Sequence, residues 1–337
     1  MSATEMKSGL GEAASSLKGM PLLEIEDLRI SISSEGSSFE VVKGVSLTVC
    51  ENEIVCLVGE SGCGKSMTAL SVMGLLPRGV ARVTEGKIDY EGRDLLSLQS
   101  RELRRLRADS ISMIFQDPIT SLDPVFTIGS VLKEVVRSHR DVSRAEAKEI
   151  AVRALVEAEL PDAADHLDSY PHQLSGGMRQ RVMIALAIAL DPRILIADEP
   201  TTALDGTVQA QILGNLRARQ REREMGMLLI THDLAVVASV ADRVAVMYAG
   251  EIVEEALVEE LFDNPQHPYT QGLVRALPDI SVSRGSLHSI PGRVPSPQTP
   301  PPGCLFAPRC DHVLDSCWEA NPGLQRDGAQ SLRCFNP

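Results

Sequence analysis

With 337 residues, 43% of them hydrophobic and 23% charged, the chain is long enough for one large α/β domain with an extension or for two domains. That composition excludes a wholly disordered or fibrous protein. Lys and Arg number 33 against 46 Asp and Glu, a net charge of -13 that argues against a broad nucleic-acid surface, because each neutralised phosphate needs a cation.

Residues 1–20 read as a Ser/Gly/Ala tail without periodicity, and with Lys7 and Lys18 but no apolar segment they do not resemble a secretory signal, so a cytosolic location is the default expectation. Polar and apolar residues alternate from Leu23 to Ser33, and Val41 to Val49 and Ile54 to Val58 are further β-rich runs. Continuous aliphatic runs at Ile111 to Phe115, Ile194 to Ala197 and Met227 to Ile230 fit strands buried on both faces of a parallel sheet. Between Phe126 and Leu160 the pattern is helical, with Ser143 and Glu146 forming a capping box ahead of Ile150, Ala151, Ala154, Leu155 and Ala158. The longest unbroken apolar run, Val182 to Leu190, is far short of the roughly 20 residues that cross a bilayer. After Leu277 the composition turns to Pro and Ser, an extended connector into a unit bearing Cys304, Cys310, Cys317 and Cys334.

The strand Ile54 to Val58 runs into Gly59-Glu60-Ser61-Gly62-Cys63-Gly64-Lys65-Ser66, and an apolar-periodic helix from Met67 to Leu76 follows. This is G-x-x-x-x-G-K-[ST] in its strand-to-helix setting. Gly59, Gly62 and Gly64 allow backbone N–H groups to turn inward around phosphates, Lys65 reaches the β- and γ-phosphates, and the Ser66 hydroxyl ligates Mg²⁺. A second element is the strand Ile194 to Ala197 ending in Asp198-Glu199. Asp198 at the carboxyl end of a sheet strand suits Mg²⁺ through water, and Glu199 suits polarisation of the attacking water. Leu174-Ser175-Gly176-Gly177 opens the apolar helix to Leu190, giving a second anion cradle with Ser175 as N-cap. One nucleotide rarely needs two cradles, so Ser175, Gly176 and Gly177 are expected to complete the pocket of a partner subunit.

These residues resemble the ABC-type ATPase family, with Leu174 to Gly177 as its signature motif. The resemblance covers about residues 21–276. It implies an α/β P-loop NTPase (RecA-like) core with an antiparallel β subdomain and an inserted helical subdomain at about 118–176, followed by a C-terminal Cys-containing extension over 277–337. By position and order, Gln116 looks like the Q-loop glutamine and a further Mg²⁺ ligand, Ala203-Leu204-Asp205 looks like the D-loop, and His232 looks like the switch histidine. Phe39 is the aromatic ahead of the phosphate loop that would stack on adenine, and it would equally serve as a strand packing residue.

Phe115-Gln116-Asp117-Pro118-Ile119-Thr120-Ser121-Leu122-Asp123-Pro124, His267-Pro268-Tyr269-Thr270 and Gly303-Cys304-Leu305-Phe306-Ala307-Pro308-Arg309-Cys310 are similar to the dipeptide/oligopeptide importer branch of that family. That resemblance implies ATP hydrolysis driving peptide import, with nickel, opine or sugar import as alternatives. It further implies a heterodimer with a second homologous ATPase subunit, two transmembrane permeases, an extracytoplasmic solute-binding protein, and a peripheral place on the cytoplasmic face of the inner membrane. A soluble, non-transport ABC ATPase or an iron–sulfur sensor is the rival of another class. The four tail cysteines are separated by five, six and sixteen residues, which is too irregular for paired C-x-x-C zinc knuckles. Four thiolates suit a cubane cluster; the resemblance implies 4Fe-4S as well, while zinc and free or disulfide-bonded thiols stay open.

Overall fold

The computed structural model describes residues 19–34, 36–117, 121–201, 205–277, 289–328 and 330–337. The tail before residue 19, Pro118 to Thr120, residues 202–204 and residues 278–288 of the Pro/Ser connector lie outside the described residues. The chain divides into two compact units, one of Met1–Leu96 with Ile230–Pro337 and one of Ser97–Leu229.

The first unit contains an antiparallel sheet in the strand order Ser37–Cys50, Pro21–Ser34, Ala81–Tyr90, Arg93–Asp94. Leu23 and Ile25 point inward by simple alternation, but so do Leu28 and Ile30. The parity changes because the register slips between Ile25 and Leu28, where Asp27 has φ 44°. Such a bulge adds one residue and returns the next apolar pair to the core face. Opposite it stands Gly86 at φ 97°, where a Cβ would fall 2.7 Å from the Leu28 Cα, so only glycine fits the bulged partner strand.

A second set of strands in this unit carries the phosphate loop. Ile54–Val58 pairs in parallel with Arg243–Tyr248, which pairs antiparallel with Glu251–Leu257. Every residue of the first two strands is buried, which suits the apolar Ile54–Val58 and the apolar run Val244–Met247. The C-terminal extension, expected to stand as its own unit, instead joins this sheet. Gln330–Leu332 pairs with Glu254 and Glu255 and in turn with Gln325–Asp327, and Arg333 donates from its backbone N–H to the Val253 carbonyl at 2.9 Å. A sheet edge offers a row of unpaired backbone groups, and the extension satisfies them.

The second unit holds the parallel pair Ile111–Ile114 and Ile194–Asp198 with helices at Ser100–Leu106, Ile128–His139, Arg144–Glu157, Gly176–Ile188 and Gly206–Glu222. The capping box is formed: the Glu146 backbone N–H donates to Ser143 Oγ at 3.2 Å, and Ser143 N–H donates to the Glu146 carboxylate at 2.8 Å. Val136, Ala147 and Leu190 form a buried cluster against which Val135, Val142 and Ile150 pack, joining the helices Ile128–His139 and Arg144–Glu157 to the chain just past the helix Gly176–Ile188. Among the described residues no helix is long and apolar enough to cross a membrane.

Candidate functional site

The phosphate loop leaves the buried strand Ile54–Val58 and ends in the helix Lys65–Val72, whose N-cap is Gly64 in a left-handed conformation at φ 112°. Close packing selects glycine here. A Cβ at Gly64 would lie 2.7 Å from the Val41 carbonyl, and one at Gly59 would lie 2.1 Å from the Met247 carbonyl. Ser61 and Gly62 at the tip are exposed. The Lys65 ammonium is buried and folded back on its own loop, donating to the carbonyls of Gly59 at 2.8 Å and Glu60 at 3.1 Å. Burial raises the Cys63 thiol above its ordinary value, which keeps it protonated and inert inside the loop. Thus the loop offers backbone donors, one buried cation and the half-buried Ser66 hydroxyl, a donor set that fits a magnesium-bound nucleotide triphosphate.

Phe39 and His232 belong to the same unit. Phe39 is half-buried on the strand Ser37–Cys50 and faces Ile32 across the antiparallel register. Two residues on, Val41 is the residue that presses on Gly64. His232 is exposed and stands just before the helix Leu234–Val240, which Asp233 caps by accepting from the Ala235 N–H at 2.9 Å.

The second unit assembles the acidic residues and the second cradle. Asp198 is buried at the end of its strand, and Glu199 follows with φ 47°. A left-handed glutamate is strained, and such strain is kept where the surroundings over-determine it. The Gln116 carboxamide donates to the Glu199 carboxylate at 3.0 Å. Ser175 caps the helix Gly176–Ile188 by accepting from the Met178 N–H at 3.3 Å, and Ser175 and Gly176 are exposed to solvent. Behind them Arg181 is buried and fixes the helix, bonding the Ala158 carbonyl at 3.1 Å, Glu159 at 3.2 Å and Gln211 at 2.9 Å. Asp205 caps the helix Gly206–Glu222, accepting from the N–H groups of Thr207 and Val208. The helix that follows the expected D-loop therefore begins at that aspartate.

Cys304, Cys310, Cys317 and Cys334 all line one small pocket together with His267 and Phe306. Burial raises the thiols of Cys304, Cys310 and Cys334. As the side chains stand, the space between them is about 10 Å³ and no group of three or more His, Cys, Asp or Glu among the described residues is arranged to hold a metal ion. Four thiolates are the donor set of a cubane cluster.

Two residues that the sequence offered only as parts of family motifs, with no role in the site, reach the phosphate loop. Tyr269 accepts the Glu60 backbone N–H at 3.0 Å and Arg309 donates to the Glu60 carboxylate at 2.9 Å, while Tyr248 meets the Tyr269 ring at a tilt and the Phe306 ring edge-on. Arg309 lies inside the tail motif, but nothing in sequence spacing links positions 249 residues apart.

Comparison with known proteins agrees with this arrangement. Residues 42–202 match the ABC transporter family model, and residues 253–317 match the oligopeptide/dipeptide transporter C-terminal region. The dipeptide transport ATP-binding protein DppD of Bacillus subtilis is 45% identical over 93% of this chain and 94% of its own length. DppD of Haemophilus influenzae is 43% identical over 94% of this chain and 96% of its own. Among solved structures, a dimeric ATP-binding cassette in a post-hydrolysis state bound to ADP and Pi matches with a TM-score of 0.63 at 30% identity, covering 70% of this chain and 99% of that one. With the phosphate loop, the strand-terminal acids and the signature helix in that family's order, and relatives aligned along nearly all of its length, the chain belongs to the ATP-binding subunits of the ABC transporter family.

Proposed function

We propose that this chain is the ATP-hydrolysing subunit of a peptide importer, paired with a second homologous ATPase subunit beneath two permeases on the cytoplasmic face of the membrane and served by an extracytoplasmic solute-binding protein. One observation carries the reading: Ser175 and Gly176 open a 13-residue helix toward solvent. An exposed helix N-terminus with glycines is an anion cradle, and here it is offered outward, as a shared pocket requires. The relatives' peptide-transport names and the matched C-terminal region support peptides as the solute class.

In the mechanism, Lys65 exchanges the Gly59 and Glu60 carbonyls for phosphate oxygens, and Phe39 stacks on the adenine. As the family resemblance implies, Ser66, Gln116 and Asp198 would hold Mg²⁺, which would supply charge neutralisation at the phosphates. Glu199 orients and polarises the attacking water, Gln116 holds the Glu199 carboxylate, and His232 contacts the γ-phosphate. Ser175 and Gly177 of one subunit bind the γ-phosphate held by the other only when the pair is shut. Closure therefore draws its free energy from contacts absent in the open state, and permease helices follow it. The test is Gly177→Asp in the subunits of the reconstituted transporter. ATP binding to the single chain should persist, whereas hydrolysis and peptide uptake should fall by about two orders of magnitude, as loss of a transition-state contact implies. Full-rate hydrolysis would remove the shared pocket, and uptake of nickel, opine or sugar in place of peptide would replace the solute.

Cys304, Cys310, Cys317 and Cys334 would hold a 4Fe-4S cluster, a cross-link that stabilises a loop-rich extension too small to build its own core. Anaerobic reconstitution of the full chain should give a brown protein with iron and sulfide in equal amounts. Colourless protein carrying zinc would overturn this.

A further inference from the structure

The phosphate loop is held from outside by the C-terminal extension. Glu60, its second residue, receives the Arg309 guanidinium on its carboxylate at 2.9 Å, and its backbone N–H donates to the Tyr269 hydroxyl at 3.0 Å. Arg309 is itself rigidly seated: it donates to the carbonyls of Pro291 at 2.8 Å and Ile290 at 3.3 Å, lies over the Tyr248 ring at 5.7 Å, and its side chain is 4% exposed. The Glu60 side chain is 32% exposed. It is an acid in a loop whose task is to attract a polyanion, which is unfavourable unless it is neutralised.

We propose that Arg309 is a positioning residue for nucleotide binding: by neutralising and orienting Glu60 it lets the cysteine-bearing extension set the affinity of the phosphate loop for ATP. The inference rests on the reading of that loop as the ATP site. Arg309 ends the short turn Ala307–Arg309 between Cys304 and Cys310, so the state of that segment is transmitted to the loop through one buried, multiply bonded side chain. Two sites linked through a shared ion pair are coupled reciprocally, so ATP in the loop in turn stabilises the seating of Arg309.

The test is equilibrium binding of MgATP to the purified full chain. Arg309→Met should raise the Kd about fivefold or more, within the range of ordinary site-to-site couplings. Added salt should shrink this defect, since it comes from an uncompensated carboxylate near phosphates. Glu60→Gln in the Arg309→Met background should bring the Kd back to within about twofold of wild type, a rescue that a merely structural role for Arg309 would not show. If Arg309→Met does not fold, Arg309→Gln, which also removes the charge, carries the same comparison: a raised Kd abolished by Glu60→Gln supports the proposal, and a wild-type Kd, or a rise that persists, overturns it. Lys65→Ala in the same assay separates the two readings. If it weakens ATP binding while Arg309→Met does not, only the coupling falls; if it has no effect, the reading of the loop falls with it.

Discussion

The Gln116 Nε2 donates to Glu199 Oε2 across 3.0 Å, and the parallel register explains why these two meet. Ile114 pairs with Ala197, and two further residues on each chain bring Gln116 and Glu199 level beyond the strand ends. Glu199→Gln keeps the shape and the left-handed backbone but loses the charge that polarises water. We expect ATP binding to be unchanged and hydrolysis by the assembled transporter to fall by about two orders of magnitude or more. Gln116→Ala should cost less, since it frees the carboxylate without removing it. Paired binding and turnover assays check both, and unchanged turnover in Glu199→Gln would remove it from the reaction.

Lys65→Ala should act at an earlier step. Its ammonium is the buried cation inside the loop, so its loss should raise the ATP Kd by about tenfold or more while leaving the melting temperature close to wild type. Gly64→Ala should be worse for folding. It places a methyl group 2.7 Å from the Val41 carbonyl at φ 112°, so both ATP binding and thermal stability should drop.

Arg243, the first residue of the strand Arg243–Tyr248, is a buried cation with two acids. It donates to Glu53 from Nε at 2.9 Å and from Nη2 at 3.1 Å, and it also bonds Glu255 and the Thr48 carbonyl. Arg243→Met leaves two buried carboxylates without their cation, and chemical denaturation should register a loss of about 3–5 kcal/mol. The triple change of Arg243, Glu53 and Glu255 to apolar residues of similar volume should recover most of that loss, because the cost lies in the stranded charge.

His267 gives the protein an acid limit. It is buried, its Nδ1 accepts the Tyr269 N–H at 3.0 Å, and burial pushes its pKa down to about 4. An unfolded histidine titrates near 6.5. Between these values the unfolded chain binds the extra proton, so stability is full above about pH 6.5 and declines as pH falls toward 4. His267→Asn keeps an acceptor that can cap the helix Pro268–Arg275. Its denaturation midpoint should show a shallower decline over that window; an identical decline would assign the proton uptake to other groups.

Much of the site was legible because its parts are local. Gly59 to Ser66, Asp198-Glu199 and Leu174 to Gly177 each carry their chemistry within a few consecutive residues, where backbone geometry and a helix terminus do the work. The Ser143–Glu146 capping box was legible for the same reason, its two bonds spanning three residues. Positions that act through distant partners left no such trace. Glu60 reads as a variable position of its motif, and Arg309 and Tyr269 as parts of short family motifs with no role in the site.

The sequence by itself therefore determined the chemistry of the nucleotide pocket, the alternation of buried strands with helices, and the family. Tertiary structure alone decided that the extension adds Gln330–Leu332 to the sheet edge, that Asp27 and Gly86 reset the inward face of the first sheet, and that Arg309 closes on Glu60. The physical reason is range: capping and loop geometry are set by neighbours along the chain, whereas edge pairing, register slips and buried ion pairs depend on which distant surfaces the fold brings into contact.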